Sequence, residues 1–121
     1  MSQVIEVAEN GLYLVLEITE ENDVRLLHFG AQQLRGEDIS GTHKPGFRLL
    51  ELQLSGEDRA EYHGRTHRAS YPGLRMTYDG YTDSVNELGR KLELRLVDHV
   101  TGLCAVQHFQ FYNGIATVRC W

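Results

Sequence analysis

Cysteine is scarce in this sequence, and long hydrophobic runs and a targeting segment are absent. The two cysteines, Cys104 and Cys120, cannot build a disulfide framework. No apolar run approaches the ~20 residues of a membrane-spanning helix, and the start, Met-Ser-Gln-Val, lacks the basic and then apolar plan of a signal peptide. We therefore expect a cytoplasmic protein that does not bind a membrane.

Clustered positive charge is also missing. The chain has 12 Lys and Arg against 17 Asp and Glu, which gives a net charge of −5 at pH 7. Nucleic acids and anionic membrane surfaces both attract concentrated basic residues, whereas the basic residues here are scattered. Nucleic acid is therefore not an expected partner. A length of 121 residues and an apolar fraction of 41% fit one globular domain, residues 1–121.

Alternation of apolar and polar residues dominates the chain. It predicts about seven or eight short strands and little helix, which is typical of an antiparallel all-β sandwich or barrel. The clearest strands are residues 12–19, 24–29, 50–54, 74–78 and 91–96, with a less regular one at 59–67. Turns are expected at 20–23, at Asp79-Gly80 and at 97–102, and a long loop at 31–46, with a short helical turn near 32–34.

The closing segment, residues 103–121, predicts a β-hairpin that turns at Asn113-Gly114. Its return arm is apolar at nearly every position and has no polar tail, so we expect an exposed strand that belongs to a larger protein. A two-residue loop would place Cys120 opposite Gln107 and leave Cys104 without a partner. Both thiols are therefore expected to be reduced and buried.

The outgoing arm of this hairpin has an irregular apolar pattern. Val106 lies at an even-numbered position, whereas the next apolar residues, Phe109 and Phe111, lie at odd-numbered positions and would face the other side of a regular strand. A β-bulge near Gln107-His108 would explain the change, and the alternative is a strand that is covered on both faces.

No motif for catalysis or metal binding stands out. His63 and His67 have the spacing of zinc ligands on a helix, but on a strand they would lie about 13 Å apart. The sequence identifies no partner residue for three further histidines, His28, His99 and His108. We expect no metal, no cofactor and no catalytic residue in this chain.

Tyrosines offer the one candidate ligand surface. Four of them, with two arginines, could line a sugar-binding face: Tyr62, Tyr71, Tyr78, Tyr81, Arg65 and Arg68. The alternative is that tyrosine simply suits a half-buried sheet.

Three blocks of sequence, read together, resemble a known family. They are residues 11–30, residues 47–54 followed by 62–67, and residues 92–119. Their order and spacing resemble the N-terminal β-supersandwich domain of glycoside hydrolase family 36, the microbial α-galactosidases. Most of the likeness lies in strand patterns, and the individual matches are Phe47-Arg48, Asp98 and Arg119.

This resemblance implies that the chain is the front part of a supersandwich and an N-terminal fragment of a larger hydrolase. The sandwich would continue past Trp121, and a downstream (β/α)₈ barrel would carry both catalytic aspartates of a retaining mechanism. That barrel would hydrolyse terminal α-galactosides. The N-terminal domain would pack on the barrel and help to form a homo-oligomer.

The resemblance also implies a loop that reaches the active site of a neighbouring subunit. Family members often carry Gly-Asp-Phe-Arg in this loop, and this chain has Gly46 at the Asp place. Phe47 and Arg48 remain as candidate contacts to an α-galactoside sugar. The alternative is that Phe47 packs at the start of a strand and Arg48 is a surface charge.

Two other functions are compatible with the residues. One is a free carbohydrate-binding module that uses its tyrosines. The other is an adaptor sandwich that adds a partner strand to its apolar edge. Such an edge also predicts self-association of the isolated chain.

Overall fold

The computed structural model describes residues 3–36, 49–50 and 75–121. Within them lie seven strands: β1 (Gln3–Glu9), β2 (Leu12–Ile18), β3 (Val24–Gly30), β4 (Thr77–Val85), β5 (Arg90–Val97), β6 (Cys104–Tyr112) and β7 (Ile115–Cys120). They form two antiparallel sheets, β1-β2-β3 and β4-β5-β6-β7. The architecture is all-β and sandwich-like, which confirms the predicted fold class.

The core lies between the two sheets. Its fully buried side chains include Leu14 and Leu16 from β2, Leu92 and Leu94 from β5, and Phe111 from β6. These residues alternate with more polar ones along β5 and β6, so that one face of each strand packs inward. Burial of such side chains contributes about 1.5–3 kcal/mol each, and this is what holds the sheets together.

β2 is the central strand of its sheet and is buried on both faces. Val15 and Glu17 are as buried as Leu14 and Leu16, although they point to the opposite side. Residues 33–34 lie beside Val15 on that side. The structure places residues 31–35 outside any helix or strand, as the predicted loop requires, and the predicted helical turn near 32–34 is wrong.

Asp79-Gly80 does not turn the chain as predicted. β4 continues through it, and the pairing with β5 shifts register between Tyr78 and Tyr81. Gly80 has a φ of +102°, and a Cβ there would lie 2.7 Å from Arg95 Nη2. The dipeptide therefore forms a β-bulge, because β5 pairs on both sides of it.

The β6–β7 hairpin turns at Asn113-Gly114 as predicted, but its register differs. Tyr112 pairs with Ile115, and a shift after this pair places Cys120 opposite Phe109 instead of Gln107. Both cysteines are free, as predicted, but both are exposed and the predicted burial is wrong.

The predicted bulge near Gln107-His108 is wrong. β5 and β6 pair without interruption from Lys91–Gln110 to Val97–Cys104. Val106 lies on the outer face of the sheet and is 42% exposed, so the strand is not covered on both faces at this position.

Several predictions fall on residues outside the described ranges. These include most of the strand at 50–54, the strand at 59–67, and both candidate sugar contacts, Phe47 and Arg48. Conversely, β1 and most of β4, residues 79–85, were not predicted as strands, and Arg75 and Met76 of the predicted strand 74–78 lie before β4 begins.

Candidate functional site

An apolar cleft lies between the two sheets along β3 and β7, which are the last strands of their sheets in the described part of the chain. Its volume is about 370 Å³. We call it the open side, and its lining residues are Leu12, Leu14, Leu26, Phe29, Phe109, Ala116, Thr117, Val118 and Cys120.

A β-bulge in β3 creates one wall of the open side. Phe29 pairs with Leu14 and Leu26 pairs with Leu16, with the register shift between these pairs. Because of the shift, Leu26 and Phe29 point to the same face although they are three residues apart. They face the core side of the sheet, yet they remain 38% and 46% exposed.

β7 forms the opposite wall with smaller side chains. Val118 pairs with Phe111 and Cys120 with Phe109, so both lie on the core side of β6–β7. Partial burial raises the pKa of the Cys120 thiol. The wall therefore behaves as an apolar surface.

Polar contacts hold the sheets together at one end of the sandwich. The Asn10 side chain donates from Nδ2 to the carbonyl oxygen of Tyr112 at 2.5 Å and accepts from the amide of Gly114 at 3.1 Å. Asn10 itself has a φ of +53° in the β1–β2 turn. One side chain thus connects the turns of two different sheets.

An arginine adds a second connection at this end. Arg90 donates to both carboxylate oxygens of Asp83, at 3.0 and 2.6 Å, and to Glu9 of the other sheet at 3.3 Å. These hydrogen bonds lower the pKa of Asp83. We call this region the clamped end; its residues are Glu9, Asn10, Asp83, Arg90, Tyr112 and Gly114.

Asp98 has a structural role in the turn after β5. It is completely buried, and it accepts hydrogen bonds from Arg75 Nε at 3.1 Å, Arg75 Nη2 at 2.9 Å, the Val100 amide at 3.0 Å and the Thr101 hydroxyl at 2.7 Å. The Arg75 guanidinium and these donors hold its pKa far below the usual range. Such a carboxylate is a poor general acid or base at neutral pH.

The tyrosine surface is only partly within the described residues, and that part is not an open platform. Tyr78 pairs with Leu96 and packs against the core, and burial, followed by the neighbouring Tyr81, raises its pKa. Tyr81 pairs with Leu94 on the same side of the sheet. The other four members, Tyr62, Tyr71, Arg65 and Arg68, lie outside the described residues.

The histidines do not assemble a site either. His28 Nε2 lies 2.6 Å from the Gln32 carbonyl oxygen, and His99 is exposed in a turn. His63 and His67 lie outside the described ranges, and within those ranges no group of three or more His, Cys, Asp or Glu side chains could hold a metal ion. His108 stacks on Trp121, a contact that the sequence did not predict.

Comparison with protein-family models and with curated proteins finds no match to this sequence. The likeness to family 36 therefore remains a hypothesis that depends on the residues themselves. None of the helices in the described part of the chain is long and apolar enough to cross a membrane.

Proposed function

We propose that this chain is the non-catalytic N-terminal domain of an α-galactosidase-like glycoside hydrolase, and that the rest of the hydrolase packs on the open side. The observation that supports this most directly is the exposure of Leu26 and Phe29, two core-facing side chains that line a cleft of about 370 Å³. Contiguous exposed apolar surface of this kind is normally covered in the working protein.

The chemistry of the cleft favours a protein occupant over a small ligand. Small-molecule sites combine an apolar wall with a few convergent polar groups. On the open side the polar side chain is Thr117, and the protonated Cys120 thiol is a weak donor. Further strands of the same hydrolase, with apolar side chains on one face, match this surface best.

The proposed role assigns no bond-breaking step to the chain. Retaining hydrolysis needs a carboxylate pair held about 5–5.5 Å apart, with one member able to donate a proton near neutral pH. Asp98 and Asp83 are each held by an arginine that lowers the pKa. The catalytic pair is instead expected in the downstream barrel, and Phe47 and Arg48 are proposed to contact an α-galactoside in a neighbouring subunit of a homo-oligomer.

The test uses the reading frame that follows Trp121 in the gene. The purified chain should not hydrolyse a nitrophenyl α-galactoside, whereas the downstream polypeptide should be more active and more heat-resistant when the chain is added. Phe29→Glu should abolish this rescue by placing a charge in the cleft. Val85→Glu is the matched control, because Val85 is 80% exposed on β4 and far from the open side in the sheet order.

Two results would contradict the proposal. One is turnover by the purified chain alone. The other is a stop codon after Trp121, or a downstream frame without hydrolase activity, which would favour a free-standing β-sandwich that binds protein or carbohydrate.

A further inference from the structure

Two Asn-Gly dipeptides meet at the clamped end. They are Asn10-Gly11 in the β1–β2 turn and Asn113-Gly114 in the β6–β7 turn, and the sequence contains no others. All four residues are exposed. The Asn10 side chain connects the two turns, because its Oδ1 accepts a hydrogen bond from the Gly114 amide at 3.1 Å while its Nδ2 donates to the Tyr112 carbonyl oxygen.

An asparagine that precedes a glycine deamidates readily, because glycine has no Cβ to obstruct the reaction. The glycine backbone nitrogen loses its proton to a solvent base and attacks the asparagine Cγ. A C–N bond forms, the bond from Cγ to Nδ2 breaks, and ammonia leaves a five-membered succinimide. Water then opens the succinimide to aspartate or isoaspartate. The reaction therefore needs a glycine N–H that can lose its proton and an asparagine side chain that can rotate onto the nitrogen.

At Asn113-Gly114 the structure meets one of these requirements and blocks the other. The Asn113 side chain is exposed and makes no hydrogen bond with any residue that the structure describes. The Gly114 N–H, in contrast, is bound to Asn10 Oδ1. A hydrogen bond that a group makes in its protonated form disfavours loss of the proton. The amide that must react is therefore held in its unreactive state by a residue of the other sheet.

We propose that Asn113 is a deamidation site and that Asn10 controls it. While the Asn10 bridge is closed, the Gly114 N–H is occupied and Asn113 stays intact. When Asn10 leaves, the Gly114 nitrogen attacks Asn113. Conversion to isoaspartate adds a methylene to the backbone between residues 113 and 114, which displaces the Gly114 N–H and prevents the same bridge from closing again. The proposal uses the clamped end alone and does not depend on the proposed hydrolase role.

Peptide mapping by mass spectrometry measures this reaction. Trypsin cleavage after Arg95 and Arg119 releases residues 96–119, a peptide in which Asn113 is the single asparagine. The full chain should be incubated at mildly alkaline pH below its unfolding transition. Asn113 should then deamidate far more slowly than in a synthetic peptide of residues 109–117.

Asn10→Gly should raise the rate of Asn113 deamidation in the folded chain by about 25-fold. Each of the two lost hydrogen bonds is worth roughly a factor of five in the opening equilibrium of the bridge. Glycine suits this variant because it accepts the positive φ of position 10. It also removes the deamidation site at position 10, so the reaction at Asn113 is observed by itself.

Two control variants separate release of the Gly114 N–H from general loosening of the fold. Arg90→Gln removes the other connection at the clamped end, which is made to Asp83 and Glu9 and not to Gly114. Val24→Ala leaves a cavity in the core at the opposite end of β2, where Val24 pairs with Ile18. Both variants should deamidate at Asn113 at nearly the parent rate.

Four outcomes would overturn the proposal. Equal rates in the parent chain and in Asn10→Gly would show that Asn10 does not control the site. A parent chain that reacts as fast as the synthetic peptide would show that the bound N–H is not protected. An intact Asn113 in Asn10→Gly, after the synthetic peptide has reacted, would show that this turn is not a deamidation site. Equal acceleration in Val24→Ala would assign the reaction to global unfolding.

Discussion

The clamped end and the open side of the sandwich differ in how they complete the fold. At the clamped end, Asn10 and Arg90 join the two sheets through hydrogen bonds between specific polar atoms. On the open side, Leu26 and Phe29 face inward but remain partly exposed. The clamped end joins the two sheets through polar side chains, whereas the open side leaves core-facing apolar side chains partly exposed.

The clamped end and the open side also differ in the interactions that can stabilise them. The polar contacts of the clamped end satisfy groups that are already present, and each contributes about 1 kcal/mol net. The exposed halves of Leu26 and Phe29 would each contribute a further ~1 kcal/mol if a partner covered them. Specific polar hydrogen bonds therefore fix the geometry of the clamped end. The exposed apolar area of the open side favours association with a partner.

The largest effect on stability is expected at Asp98, a polar site that is more buried than the clamped end. Asp98→Asn removes the ion pair with Arg75, and we expect the Tm to fall by about 10 °C at pH 7. The folded-state pKa of Asp98 lies below its unfolded value of ~3.9, so the stabilisation is complete above that pH. As the pH falls from the unfolded-state pKa towards the lowered folded-state pKa, the parent chain should lose its greater stability over Asp98→Asn.

Thermal unfolding as a function of pH measures this effect. Asp79→Asn is the control, because Asp79 is an exposed acid in β4. A difference between the parent chain and Asp98→Asn that did not change between pH 7 and the acid limit would show that the ion pair is not the cause.

The next effect is expected at the clamped end itself. Asn10→Ala loses both bridging hydrogen bonds and places a Cβ residue at a φ of +53° without the local side-chain bonding that Asn provides. We expect a loss of about 2 kcal/mol in the free energy of unfolding, measured by urea titration.

Asn10→Gly separates the two causes at this position. Glycine accepts the positive φ, so only the lost hydrogen bonds should appear in its unfolding free energy. If both variants were as stable as the parent chain, Asn10 would not hold the sheets together.

On the open side we expect a small change in stability and a large change in association. The isolated chain should self-associate reversibly through the exposed apolar surface, and Phe29→Glu should make it monomeric. The free energy of unfolding should fall by only about 1 kcal/mol, because Phe29 is already 46% exposed. Sedimentation velocity over a range of concentrations measures the association, with Val85→Glu as control. A monomeric parent chain at high concentration would contradict this expectation.

The smallest effect is expected for the ion pairs of Arg90. Arg90→Gln should cost at most about 1 kcal/mol, since Arg90, Asp83 and Glu9 are all partly exposed and solvent screens them. Added salt should reduce the difference further. A loss larger than that of Asn10→Ala would show that the clamped end depends on charge instead of the asparagine bridge.

Local alternation was sufficient to predict most of the described strands. β2 and β5 follow it closely, whereas the final hairpin was predicted from its Asn113-Gly114 turn. β1 was missed because it contributes only Ile5 and Val7 to the core, which is a weak pattern in a short segment. Asp79-Gly80 was assigned to a turn because the dipeptide suits both a turn and a bulge. The long-range pairing of β4 with β5 decides between them.

The open side and the position of Trp121 both depend on register shifts that the sequence does not reveal. The open side exists because the β3 bulge turns Leu26 and Phe29 to one face. A simple two-residue loop would place Trp121 opposite Val106, whereas the observed shift after Tyr112 places it beside His108. Such shifts arise from the fit between neighbouring strands, and local composition does not encode them.

Hydrogen–deuterium exchange tests the central claim most directly. The chain should be measured alone and together with the polypeptide encoded after Trp121. We predict that the partner slows exchange in β3 and β7, which border the open side, and leaves the clamped end around Asn10 and Arg90 unchanged. Slower exchange at the clamped end alone, or no change in β3 and β7, would contradict the assignment of the open side as the docking surface.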